Sequence, residues 1–225
     1  FTGSQLTGET INLTETAAGT SVLVVNVDSG ATIDLVNMTA STFTTGSDII
    51  TINASGNASV TGPNLSSTLN GGAGGDTLIG GTANDIINGI GGNDTIDGGD
   101  GSDTLTGGDG DDVYLFDTGD VDSGESISEN PAGGTDVVAI VTSTDFSLLT
   151  ASSLDEIEQI RFAGANKTGT FTGAQLTGET IQLTETVAGT SNLVIDVASG
   201  TTATFTNLTA STFTSGSDTL TINGT

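Results

Sequence analysis

Aspartates recur every nine positions at Asp76, Asp85, Asp94, Asp103 and Asp112. A carboxylate can act as an oxygen ligand for a hard cation or as half of an acid–base pair. The surrounding residues favour the first role. Five nine-residue units, GGAGGDTLI, GGTANDIIN, GIGGNDTID, GGDGSDTLT and GGDGDDVYL, start at Gly71, Gly80, Gly89, Gly98 and Gly107 without a slip. Most read G-G-x-G-x-D-x-U-x, where U is a large apolar residue. Glycines allow positive φ and a tight turn without a Cβ clash. The x-U-x stretch is a very short strand with one inward apolar side chain. A single strand of this kind cannot bury its face, so the pattern requires stacked coils, a solenoid. The recurrence of an apolar residue at position eight in every unit argues against a flexible Gly/Asp linker.

These units resemble the repeats-in-toxin (RTX) family, the hemolysin-type calcium-binding repeat. The resemblance implies a parallel β-roll in which two units make one coil. Asp76, Asp94 and Asp112 would then form one column, and Asp85 and Asp103 a second. Leu78, Ile96 and Tyr114 would fill the core from one sheet, and Ile87 and Leu105 from the other. Parallel strands sit roughly 4.8 Å apart, and carboxylates stacked at that interval repel unless a cation lies between them. Calcium takes about six to eight oxygens at roughly 2.3–2.6 Å, which suits a gap lined by carbonyls and two Asp side chains. Zinc would favour His or Cys, and the chain has neither. The expected calcium ligands are the five aspartates with turn carbonyls from Gly71, Gly72, Gly74, Gly80, Gly89, Gly91, Gly98, Gly99, Gly101, Gly107, Gly108 and Gly110. About three ions are expected: Asp76 with Asp94, Asp94 with Asp112, and Asp85 with Asp103. Two units depart from the pattern. Ala83 replaces the glycine at position four of its unit and Ile90 the glycine at position two of its own. A β-branched residue is strained at positive φ, so the turn at Ile90 is expected to be altered.

Composition agrees with a cation partner. The chain carries 28 acidic residues, two basic ones and no His, for a net charge of −26. Such a chain repels nucleic acid and anionic membranes and attracts divalent cations. Its 34% hydrophobic content, much of it alternating with Thr, argues against disorder. Absence of Cys excludes a disulfide framework, leaving calcium as the staple of an extracellular protein. No stretch is apolar enough to span a bilayer. Neither a signal-like segment nor the C-terminal signal of type I secretion, the export route the resemblance implies, is recognisable.

A second repeat is longer. FTGSQLTGETINLTETAAGTS at 1–21 returns as FTGAQLTGETIQLTETVAGTS at 171–191, and 37–53 returns at 207–223, an offset of 171 − 1 = 170 residues. The chain reads as one unit of a tandem array plus the start of the next. The expected divisions are a Thr-rich β segment at 1–70, the calcium roll at 71–115, an acidic loop with a β segment at 116–170, and the second flank copy at 171–225. Short runs rich in Val, Ile, Leu and Thr predict strands at 11–15, 22–27, 31–36, 49–53, 136–141 and 157–162. A helical turn at 154–159, capped by Ser152 or Ser153, competes with the last of these. The fold expected is all-β, a parallel roll continuing into its flanks as a β-solenoid; a β-sandwich is the alternative. Asp117, Asp120, Asp122, Glu125 and Asp136 read as a solvated acidic loop, with a peripheral calcium site as the alternative.

No H-E-x-x-H or G-x-S-x-G motif is present, and there is no His base. Some RTX proteins are proteases or lipases, but that chemistry lies in other domains. The expectation is a non-enzymatic structural module, similar to the tandem units of secreted bacterial adhesins, surface-layer proteins and matrix filaments. Its partners would be calcium and further copies of itself. The alternative is a ligand-binding module for glycan or ice. Gly81-Thr82-x-Asn84-Asp85 resembles one coil of a calcium-dependent ice binder, but the form appears once. The T-x-T sets at 42–44, 202–204 and 212–214 are irregularly spaced, and β-propensity explains the Thr content better.

Overall fold

The computed structural model describes residues 12–13, 20–40, 48–131, 133–213 and 217–224, apart from the side chains of residues 12, 13, 40 and 151. Every strand pairing among them is parallel. A nine-stranded sheet runs Thr209–Ala210, Gln182–Glu185, Gln159–Phe162, Val137–Ile140, Val113–Phe116, Thr95–Gly99, Thr77–Gly81, Ser59–Thr61, Thr32–Asp34. From Ile49–Ala54 onward, the chain leaves this long sheet after each strand for a facing sheet and then returns. The facing sheet comes in two parts. The first has six strands: Ser126–Ser128, Thr104–Asp109, Ile86–Gly91, Thr68–Ala73, Ile49–Ala54 and Val22–Val27. The second has four: Thr144–Asp145, Thr168–Thr172, Asn192–Val197 and Thr219–Gly224. This is a parallel β-solenoid and not a sandwich. A two-stranded pair, Asn12–Leu13 with Thr39–Ala40, stands apart.

Alternation dictates the core. Strands such as Ile49–Ala54 and Thr77–Gly81 bury every second residue, as period-two side-chain direction requires. Leu78, Ile96 and Tyr114 from the long sheet, and Ile87 and Leu105 from the facing sheet, are fully buried. They belong to one apolar cluster reaching from Val25 to Ile195. On the outside of the facing sheet an amide ladder forms. Asn53 donates to Asn26 at 3.4 Å, Asn70 to Asn53 at 2.9 Å and Asn88 to Asn70 at 2.8 Å, tying the flank to the nonapeptide coils.

Where the first facing sheet ends, a 3-10 turn, Ala151–Leu154, packs on Ser126–Ser128 and buries Leu154. The helical turn expected at 154–159 therefore lies earlier in the chain. Its N-cap is Thr150, without a side-chain capping bond, and the neighbouring strand is Gln159–Phe162. Beyond it the core turns aromatic: Phe146 meets Phe116 edge-on at 5.2 Å and stacks on Phe171 at 4.5 Å. Gln175 is buried there with its polar atoms satisfied. Its Nε2 donates to the carbonyls of Phe146 and Leu149, and its Oε1 accepts the Thr172 N–H at 2.6 Å. Of the predicted flank strands, Val22–Val27 has the expected bounds and Ile49–Ala54 runs one residue longer; 31–36 and 136–141 shorten to Thr32–Asp34 and Val137–Ile140. Residues 11, 14 and 15 of the first predicted strand lie outside the described residues, as does the Thr set at 42–44.

Candidate metal centre

In each unit the Asp stands two residues before the inward apolar side chain, at the corner where a turn becomes a strand. The register carries it over its counterpart one coil away. The Asp76 N–H donates to Asp94 Oδ1, Asp94 N–H to Asp112 Oδ1 and Asp85 N–H to Asp103 Oδ1, all at 2.7 Å and 18 residues apart. The N-terminal ends of the two columns are closed by backbone N–H groups, Ala58 to Asp76 at 2.6 Å and Ser67 to Asp85 at 2.7 Å. All five aspartates are buried. One oxygen of each is therefore satisfied. The other, Oδ2 of Asp76, Asp85, Asp94, Asp103 and Asp112, is buried without a hydrogen-bond donor.

The first glycine of each unit faces that oxygen. A Cβ on Gly71 would lie 2.8 Å from Asp76 Oδ2 and 2.7 Å from the Gly89 carbonyl. Gly80, Gly89, Gly98 and Gly107 meet Oδ2 of Asp85, Asp94, Asp103 and Asp112 in the same way. Each glycine thus keeps open a space lined by oxygens, which a side chain would fill. Orphaned carboxylate oxygens beside carbonyls are a donor set suited to calcium and to no soft metal. Burying five such oxygens without a counter-charge is costly. Desolvation pushes Asp85, Asp94 and Asp103 up to about 7, despite the backbone hydrogen bonds that act the other way. Asp76 and Asp112 are raised by the same cause.

The turns mostly follow the glycine pattern. Gly72, Gly99 and Gly108 at position two, and Gly74, Gly101 and Gly110 at position four, have positive φ. In the third unit position four is Gly92, φ +109°. Gly91 is a strand residue whose carbonyl accepts the Gly74 N–H at 2.7 Å, so it is Gly92 that takes the turn conformation of Gly74, Gly101 and Gly110. Ile90 holds φ +82°, the conformation of the glycines it replaces, with its side chain directed to solvent. The turn that departs is the one at Gly81 and Ala83, where neither residue has positive φ.

The ladder does not stop with the nonapeptides. Asp103 N–H donates to Glu125 Oε2 at 2.7 Å, Asp112 N–H to Asp136 Oδ1 at 2.9 Å and Asp136 N–H to Glu158 Oε2 at 2.8 Å. Glu125 and Asp136 are each only 1% exposed, and Glu125 Oε1 is a further buried oxygen without a donor. The reading of the whole 117–136 segment as solvated loop is thereby corrected: Asp117 and Asp122 are exposed, whereas Glu125 and Asp136 continue the two columns. Burial pushes Glu125 up to about 8 and Asp136 up to about 6. The missed signal is an acid two residues before a buried apolar residue, as in Glu125/Ile127, Asp136/Val138 and Glu158/Ile160. Asp48 and Asp218, in the two flank copies, repeat the ladder bond by accepting the N–H of Ser21 and of Ser191.

Fold and site together define a parallel β-solenoid whose turns stack buried carboxylates in axial columns. Residues 66–89 and 88–120 match the family model of the RTX calcium-binding nonapeptide repeat, in four copies. Residues 66–120 thus carry RTX calcium-binding nonapeptide repeats. No curated protein and no solved structure matches the chain. Among the described residues, no helix is long and apolar enough to cross a membrane.

Proposed function

We propose that the chain is a non-enzymatic structural module of a secreted, calcium-rigidified tandem-repeat protein that builds an extracellular filament, surface layer or adhesin stalk. The observation that carries this reading is the coil shared by the two flank copies. Thr219–Gly224 pairs on Asn192–Val197 in the same six-pair register that Ile49–Ala54 has on Val22–Val27. Ile50 and Ile52 are buried, and Thr68–Ala73 is the next strand of their sheet. Their counterparts Leu220 and Ile222 are 48% and 54% exposed. A further coil like Thr68–Ala73, from a following unit or another copy, would cover them and extend the solenoid.

In this reading the carboxylates are structural. The chain leaves the cell unfolded, because low intracellular calcium leaves the columns uncompensated. It then folds as external calcium binds, and the binding free energy becomes folding free energy. About three ions sit between the stacked aspartates of the nonapeptides, and Asp94 faces two of those gaps. Imaging of native material tests the assembly. The expected result is a filament or lattice with an axial repeat of one solenoid unit; isolated globules in the presence of calcium would refute it.

A further inference from the structure

We propose that Asp112, Glu129 and Asp136 form an additional calcium site, outside the nonapeptide pattern, that closes the first carboxylate column; the proposal rests on the calcium reading of the repeats. The three side chains offer ligand oxygens that all lie within 4.8 Å of one another. Oxygens bound to one calcium at roughly 2.3–2.6 Å can be up to about 5 Å apart, so the three lie close enough to share one ion. A group of acids alone would mean little. Here Asp112 is fully buried, and its Oδ2 has no donor and points into the cluster. Its Oδ1 is already satisfied by the Asp94 N–H at 2.7 Å.

The register explains how Glu129 reaches this place. Leu105 pairs with Ile127. Two residues further along, Gly107 is therefore matched by Glu129, the position held by Gly71 and Gly89 in earlier coils. A Cβ on Gly107 would meet Asp112 Oδ2 and lie 2.5 Å from Glu129 Oε1. At Gly71 and Gly89 the corresponding oxygen is a backbone carbonyl, from Gly89 and Gly107 respectively. A carboxylate thus stands where the repeats place a carbonyl, and the site gains a full negative charge. Glu129 is held by the Gly108 N–H, which donates to Oε2 at 3.2 Å, and by the Tyr114 hydroxyl, which donates to Oε1. Asp136 Oδ1 accepts the Asp112 N–H. The chain has only two basic residues, and neither belongs to the cluster. With three carboxylates against two in a gap between repeats, this site binds calcium ahead of the others.

Tyr114 also supplies the test. It is the only tyrosine, and the chain has no Trp, so terbium emission excited through tyrosine reports ions close to Tyr114, the one at Glu129 foremost. In the intact chain, terbium should give tyrosine-sensitised emission in the first equivalents, and calcium should displace it. Glu129→Gln and Asp136→Asn should each lose one bound calcium and most of that early emission, whereas Tyr114→Phe should lose the emission and keep the ion. Full calcium stoichiometry in both carboxylate variants would overturn the site and leave the repeat columns standing. Binding of no calcium at all by the unmodified chain would overturn both readings. If the variants fail to fold, the unmodified chain decides: calcium binding without calcium-displaceable tyrosine-sensitised terbium emission sinks the proposal.

Discussion

The nonapeptide coils and the coils after Phe116 have the same parallel pairing but fill the same place with different matter. In the long sheet, two residues beyond each inward apolar side chain, the repeats carry Gly80 after Leu78 and Gly98 after Ile96. The later strands carry Phe116 after Tyr114, Ile140 after Val138 and Phe162 after Ile160, all buried. Glycine leaves a space lined by oxygens, and Phe or Ile closes it with carbon. Coil length follows the filling. Ladder partners are 18 residues apart in the repeats, 22 to 24 just after them and 27 in the second flank copy. Short coils bury one large apolar side chain per strand, whereas longer coils add phenylalanines or isoleucine behind it. One solenoid thus joins a stretch lined with orphaned oxygens to an oil-packed one.

Calcium removal should separate the two most strongly. With EGTA, amide protection at 71–115 is expected to collapse while the strands Val137–Ile140 and Gln159–Phe162 stay protected. Uniform loss or uniform retention in hydrogen exchange would erase the distinction. Next in size is Phe146→Ala, which empties the aromatic contact between Phe116 and Phe171. It should cost about 3–5 kcal/mol, and by an equal amount with calcium or with EGTA. A cost confined to the calcium-free protein would contradict an oil-packed region independent of ions.

The effect of pH has a defined sign. Without metal, the folded values of Asp85, Asp94 and Asp103 are about 7, above the unfolded value of about 3.9. The folded roll then binds more protons than the unfolded chain between these limits. Its stability contribution is full below about pH 4 and is lost as pH rises through 7. In chain freed of metal beforehand, the β circular-dichroism signal should therefore be larger at pH 5 than at pH 8, and the reverse would refute uncompensated burial. The smallest expected effect is Ile90→Gly. Ile90 holds φ +82° with its side chain in solvent, so relief of backbone strain should stabilise the calcium-loaded chain by about 1 kcal/mol. Destabilisation in urea unfolding would show that the side chain has a packing role.

The repeats were legible because a fixed nine-residue period leaves no freedom in register. Once Leu78 and Ile96 are assigned inward, the aspartate and the first glycine of every unit fall into place. Glu129 was not legible, and Glu125 and Asp136 were legible only as part of an acidic run with a peripheral calcium site as the alternative, because the coils that hold them lengthen to 22 and 24 residues. No count from Asp112 reaches them, and only the apolar residues two places beyond Glu125 and Asp136 betray the register. Ile90 misled differently. Its side chain type predicts a disturbed turn, but the neighbouring coils at Gly72 and Gly108, with which it pairs, impose their conformation on it. The departure fell instead at Gly81 and Ala83, where the sequence still carries a glycine at position two.

The coil of 24 residues between Asp112 and Asp136 also has a mechanical meaning. Inter-strand bonds in a solenoid run along its axis, so a pull on the two ends loads the coils in series. A coil that opens gives up about 4.8 Å of stacked rise and releases roughly 80 Å of extended chain. Force–extension traces should resolve such steps, and calcium should raise the force at which the 18-residue coils yield more than that of the longer ones. A tether built this way would lengthen many-fold before it broke, with the ion concentration outside the cell setting which coils give first.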